Sequence, residues 1–167
     1  YIWGEANRIS PEAPVPIVLA KKESESLGGA GNVIANLAGL NVNTIIIGMV
    51  GDDDSGKKMI CMLKDLGANT DYLVIKNNDQ TTQKTRLVAS NQQLVRFDWD
   101  NETITDGEKF LLIKNIKSII NKVDIVIISD YNKGVCFEEL VQTSISCCND
   151  RKKLIIIDPK DKSYSKY

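Results

Sequence analysis

From Leu27 onward the apolar residues of this chain keep changing period. A helical spacing over Ala30–Leu40, Asp54–Leu66, Gly107–Asn121 and Phe137–Asn149 alternates with buried runs at Thr44–Val50, Asp124–Ser129 and Leu154–Asp158. Strand and helix in alternation make right-handed βαβ units, and such units build a parallel sheet with helices on both faces. The expected fold class is therefore α/β. The second helix has its own signals, Asp52-Asp53-Asp54-Ser55 at the start and Gly67 at the end.

Between Asp71 and Asp98 the pattern becomes short and alternating. Strands are expected at Tyr72–Lys76, Thr82–Ser90 and Gln92–Asp98, broken by Asn77-Asn78-Asp79 and by Asn91, with an earlier strand at Val15–Lys22. These segments describe a small antiparallel sheet set into the α/β chain: about 8–26 and 71–98 for the insert, 27–70 and 99–167 for the core. In open α/β sheets ligands bind beyond the carboxyl ends of the strands. Three such ends are polar, Gly48 to Asp53, Ser129 to Gly134 and Asp158-Pro159-Lys160, and are expected to converge on one crevice.

The balance of 21 basic against 22 acidic residues excludes a global field that would recruit nucleic acid or an anionic membrane. No run approaches the roughly 18 apolar residues of a membrane span, and the N-terminus has no basic-then-apolar signal, so a cytoplasmic address is expected. The four cysteines form no C-x-x-C pair. The chain has no histidine, which removes zinc hydrolysis and Ser-His-Asp chemistry and leaves carboxylates, lysines, backbone amides and a hard metal.

Leu27-Gly28-Gly29-Ala30-Gly31-Asn32 opens the first helix. Glycines let a bound molecule approach the backbone, and the first helical turn offers N–H groups without intrahelical partners, which suits a hydroxylated or anionic guest. The same residues also serve a plain tight turn. A dinucleotide fingerprint is rejected because Ile34 stands where a third small residue is needed. Further on, period-two geometry puts Lys84 and Arg86 on one strand face, with Arg96 on the next strand. Such cations suit a phosphate, although edge strands also carry them against aggregation. Lys133 and Lys160 sit in loops after buried strands.

These residues carry a resemblance. Arg8-Ile9-Ser10-Pro11-Glu12-Ala13-Pro14-Val15-Pro16, Gly28-Gly29-Ala30-Gly31-Asn32-Val33, Asn91-Gln92-Gln93-Leu94-Val95-Arg96, Ser129-Asp130-Tyr131-Asn132-Lys133-Gly134 and Asp158-Pro159-Lys160 occur in the order seen in D-glycero-β-D-manno-heptose 7-phosphate kinases. These belong to the ribokinase-like carbohydrate kinases, and in many bacteria the kinase is the N-terminal half of a bifunctional enzyme making ADP-heptose. The resemblance implies a ribokinase-like parallel core carrying a β lid that covers the sugar and mediates a homodimer. It also implies transfer of the ATP γ-phosphoryl group to an anomeric hydroxyl with Mg2+. By that likeness Gly28, Gly29 and Asn32 bind sugar hydroxyls; Lys84, Arg86, Arg96 and Lys133 are our candidates for the substrate phosphate and its surroundings.

The chain also departs from that family. The Gly-Ala-Gly-Asp element that supplies the anion hole and catalytic base, and the metal-linked Asn-x-x-Glu segment, are not found in the family's position, and the family's first strand would precede Tyr1. The resulting expectation is an internal, incomplete piece of a kinase that holds most of the acceptor side, lacks the ATP side and does not catalyse alone, its base expected beyond Tyr167. Two other readings stay open: a non-catalytic sugar-phosphate-binding or dimerisation module, and a related kinase with another sugar acceptor.

Overall fold

The computed structural model describes residues 1–100, 103–160 and 164–167. Its elements are β1 (Ile2–Ile9), β2 (Pro16–Glu23), α1 (Ala30–Gly39), β3 (Gly48–Gly51), α2 (Asp54–Asp65), β4 (Leu73–Lys76), β5 (Gln83–Ala89), β6 (Gln92–Trp99), α3 (Asp106–Ile119), β7 (Ile125–Ser129), α4 (Glu138–Asp150) and β8 (Leu154–Asp158). They divide into two compact units: Tyr1–Ser26 with Thr82–Trp99, and Leu27–Thr81 with Asp100–Tyr167. The expected core segment 99–167 includes 101–102 and 161–163, which lie outside the described residues.

The smaller unit is a sheet of order β2-β1-β5-β6. Strand β1 has no counterpart in the sequence reading. Gly4, Glu5, Ala6 and Asn7 are poor strand formers, so its conformation is set by non-local pairing: antiparallel with β2 and parallel with β5. The insert is thus a mixed sheet rather than a purely antiparallel one. Where the β1/β2 register shifts between Trp3 and Gly4, a Cβ on residue 4 would stand 2.5 Å from the Leu19 carbonyl oxygen, so only glycine fits. Strands β5 and β6 form a hairpin through Ser90 and Asn91, both at positive φ (50° and 60°), the conformation a two-residue turn demands.

The larger unit contains two parallel pairs, β3 with β4 and β7 with β8. The β3/β4 pairing corrects the reading of Tyr72–Lys76 as part of the antiparallel insert. Helix α2 supplies the crossover between β3 and β4, making a βαβ unit, and a four-residue apolar strand looks alike whichever partner it takes. Of the run Thr44–Val50, only its end from Gly48 is strand; Ile45 makes a lone bridge to Asn69.

Two apolar clusters fill this unit. Val74 of β4, Leu112, Ile116 and Ile119 of α3, and Leu140 of α4 form one; Ile34 of α1, Ile46, Leu63 of α2 and Ala68 form the other. Leu63 and Leu112 are fully buried, so truncating either to alanine costs about 2–5 kcal/mol. Helix α3 starts from a capping box in which the Thr105 hydroxyl accepts the Glu108 N–H and the Glu108 carboxylate accepts the Thr105 N–H.

Candidate functional site

Gly29 is the residue at which the chain turns into α1, with φ 53° and ψ −131°, a left-handed conformation that side chains resist. No side chain caps this helix and its first turn has no acidic residue, so its positive end is not neutralised locally. A Cβ placed on Gly28 would meet nothing within 4 Å, leaving open space over the backbone. Asn32, in the same first turn, is exposed. The three residues proposed to meet sugar hydroxyls therefore share one helix mouth.

The loop after β7 adjoins that mouth, because a Cβ on Gly29 would lie 3.5 Å from Cδ2 of Tyr131. Asp130 fixes the loop. Its Oδ1 accepts the Asn132 N–H at 2.7 Å, closing a turn in which Asn132 takes φ 54°. Its Oδ2 accepts the Tyr167 hydroxyl at 2.7 Å and pairs with Lys166 Nζ at 2.6 Å. Burial works to raise the Asp130 pKa, but Lys166, Tyr167 and the Asn132 N–H outweigh it and hold the carboxyl below its usual value. The ends of β7 and β8 meet through the Asp130 N–H, which donates to the Asp158 carbonyl at 3.0 Å. Beside it, the buried Ser129 hydroxyl has no hydrogen-bond partner among the described residues.

The end of β3 closes on a different partner. The Thr81 hydroxyl donates to Asp53 Oδ1 at 2.6 Å and accepts the Gly51 N–H at 3.0 Å, while Asp53 Oδ1 caps α2 by accepting the Gly56 N–H. Burial raises the Asp53 pKa, and these bonds more than offset it.

The four candidate cations fall in both units. Lys84 and Arg96 of the smaller unit share Asp98, at 3.0 Å and 2.8 Å, and the Lys84 bond leads the causes that lower the Asp98 pKa. Arg86 lies directly opposite Arg96 in the hairpin, its guanidinium carbon 5.3 Å from the centre of the Tyr1 ring. In the larger unit Lys133 pairs with Asp100 at 2.7 Å. Lys160 is exposed. The residues that sequence reasoning missed are the partners: Asp98, Asp100 and Tyr1 are non-local in register or loop path. Only the Thr81–Asp53 pair had a local signal, the cap at Asp53.

Among the described residues no group of three or more His, Cys, Asp or Glu side chains is placed to hold a metal ion. The best-placed carboxylates, Asp53 and Asp130, are both engaged by internal donors. These described residues do not make a metal centre. No helix among the described residues is long and apolar enough to cross a membrane.

A parallel α/β core with a glycine-lined helix mouth beyond its strands, and a separate β unit bearing cations, is the arrangement of a sugar kinase. The pfkB family carbohydrate kinase model matches residues 2–167, and the chain belongs to that family. It is 47% identical over 168 residues to the bifunctional protein HldE of Helicobacter pylori strain J99, covering 100% of this chain and 36% of that protein. Against the bifunctional protein HldE of Wolinella succinogenes it is 42% identical, covering 100% of this chain and 35% of that one. The chain thus spans about a third of the length of these relatives. Among solved structures, a phosphofructokinase-like protein from Staphylococcus aureus superposes with a TM-score of 0.72 at 17% identity, covering 95% of this chain and 48% of that one. A sugar kinase-like protein from Clostridium perfringens gives 0.64 at 20%, covering 96% and 48%. At such identities the likeness defines the ribokinase-like fold.

Proposed function

We propose that this chain carries the acceptor side of a kinase domain that phosphorylates D-glycero-β-D-manno-heptose 7-phosphate at its anomeric hydroxyl, the cytoplasmic reaction its motifs imply. The observation that carries this reading is the mouth of α1, where open space over Gly28, the positive φ of Gly29 and the exposed Asn32 form an uncapped surface suited to hydroxyls. The full-chain identity to two HldE proteins supports the choice of substrate class.

In this reading Gly28, Gly29 and Asn32 hold the sugar, and Arg86 is the foremost candidate for the existing phosphate. Arg86 has no ion pair among the described residues, whereas Lys84 and Arg96 are drawn to Asp98 and Lys133 to Asp100. ATP and Mg2+ are the co-reactants the reaction requires. Calorimetric titration with heptose 7-phosphate and, separately, with MgATP tests the reading. Binding of the sugar phosphate supports it, and binding of MgATP without the sugar phosphate contradicts it.

The smaller unit further suggests the homodimer surface. Val95, Phe97 and Trp99 alternate along β6 and are 38%, 47% and 44% exposed, an apolar row of the kind that pairs with a second copy. Sedimentation of the chain as a dimer, and of a Phe97→Lys variant as a monomer, is the expected result; a wild-type monomer at high concentration contradicts it.

A further inference from the structure

One ammonium group holds both ends of the loop that adjoins the mouth of α1. Lys166 Nζ pairs with Asp130 Oδ2 at 2.6 Å, where the loop leaves β7, and donates to the Cys136 carbonyl at 3.5 Å, just before α4 begins. Lys166 is itself tied to α4, its carbonyl accepting a Gln142 side-chain N–H at 3.0 Å, and its ammonium lies 5.2 Å from the centre of the Tyr167 ring. The Tyr167 hydroxyl reaches the same Asp130 oxygen at 2.7 Å, from 37 residues further along the chain.

Two donors on Oδ2 fix a direction as well as a charge. A carboxylate turns readily about its Cβ–Cγ bond, and with Lys166 and Tyr167 both on Oδ2 that rotation stops with Oδ1 aimed at the loop, where it accepts the Asn132 N–H at 2.7 Å. This bond supports an unfavourable backbone, because Asn132 takes φ 54° and Gly134 φ 82°. The neighbours of Asn132 on either side are Tyr131, whose ring lies against Gly29, and Lys133, paired with Asp100. The turn between them sets the direction of both. A buried ion pair is a weak source of stability beside a well-packed apolar replacement; here it selects one orientation of Asp130.

We propose that Lys166 and Tyr167 are positioning residues for sugar-phosphate binding. Acting through Asp130, they hold the Asn132 turn, which keeps Tyr131 against the α1 mouth and fixes the direction of Lys133. Neither touches the ligand. The role rests on the proposed function and extends it to residues outside every segment that carries the family resemblance.

Amide exchange of the ligand-free chain reads the turn, and calorimetry with heptose 7-phosphate reads its consequence. Tyr167→Phe and Lys166→Met should each speed exchange of the Asn132 N–H by about tenfold, more than any change at the helical Leu63 and Leu112 amides. Each should weaken sugar-phosphate binding by about fivefold, the size of one lost hydrogen bond. Lys166→Arg, which keeps the charge, should bind within about twofold of the wild type. Leu63→Val lowers the urea midpoint from a different apolar cluster and should also bind within about twofold, separating positioning from lost stability. If circular dichroism shows Lys166→Met unfolded, Tyr167→Phe, which loses one hydroxyl, carries the test. If the wild type binds and Tyr167→Phe binds equally well, or Leu63→Val weakens binding as much, the positioning role is wrong while the proposed function stands. If heptose 7-phosphate does not bind the wild-type chain, both fall.

Discussion

The hydroxyl of Thr81 donates to Asp53 Oδ1 at 2.6 Å across 28 residues of sequence. Thr81 is 8% exposed and is the last residue of the larger unit before the chain passes to the smaller one. The same two side chains cap α2 and satisfy the Gly51 N–H at the end of β3. One buried network thus fixes a helix start, a strand end and the point of departure of the β unit.

Thr81→Val keeps the shape and removes both hydroxyl bonds, leaving the Gly51 N–H without that acceptor. The expected loss is about 1–3 kcal/mol in urea denaturation. Asp53→Ala should cost about 1–2 kcal/mol as a lost cap. Because the two share one network, the double variant should lose less than the sum of the single losses; strict additivity would contradict the coupling.

At Asp130 the buried carboxylate faces Lys166, whose side chain is 16% exposed against 2% for Asp130. Asp130→Ala leaves that ammonium unpaired and should cost on the order of 3 kcal/mol. Asp130 is held below its usual 3.8, so its stabilisation is complete above that pH and drains as pH falls through the lower folded value. Against a desolvation that lowers it, Lys166 is raised above 10.5 by Asp130, so its contribution is complete below 10.5 and is lost as pH rises through the folded value. Stability against pH should show a plateau between these limits, with the acid shoulder reduced in Asp130→Ala, because Asp53 is also held below its usual value.

Burial, helped by the negative charge of Asp130, pushes the Cys136 thiol up to about 12. Cys61 is exposed. With iodoacetamide at pH 8, mass spectrometry should find Cys61 modified while Cys136 stays unmodified until the chain is unfolded. Rapid labelling of Cys136 in the native state would contradict the packing around it.

Much of the larger unit was legible because its signals are local. Asp53 announced α2, Gly67 at φ 78° ended it, and the glycine run marked the mouth of α1. What escaped is non-local. Strand β1 has low intrinsic preference and exists through its partners on both sides, and Leu73–Lys76 carries no mark of the parallel partner it takes. The spacing of Lys84, Arg86 and Arg96 was readable, but not that Asp98 would hold two of them while Arg86 stacks on Tyr1. A cation's availability depends on register and loop path, which one sequence does not display.

Lys133 provides a separate check on the acceptor reading. Its pair with Asp100 is only partly buried, at 28% and 26% side-chain exposure, so an incoming phosphate can compete for the ammonium. Lys133→Met should weaken heptose 7-phosphate binding by about tenfold, the size of a charged hydrogen bond of about 1.5 kcal/mol. Its urea midpoint should move little. An unchanged affinity would remove Lys133 from the site.

The most direct test of the central claim is amide hydrogen exchange with and without heptose 7-phosphate, followed residue by residue. Gly29 to Val33 and Ser129 to Gly134 should exchange more slowly with the sugar phosphate, and inorganic phosphate should not reproduce the effect. Unchanged exchange in both segments under saturating sugar phosphate would contradict the assignment of the α1 mouth as the sugar site.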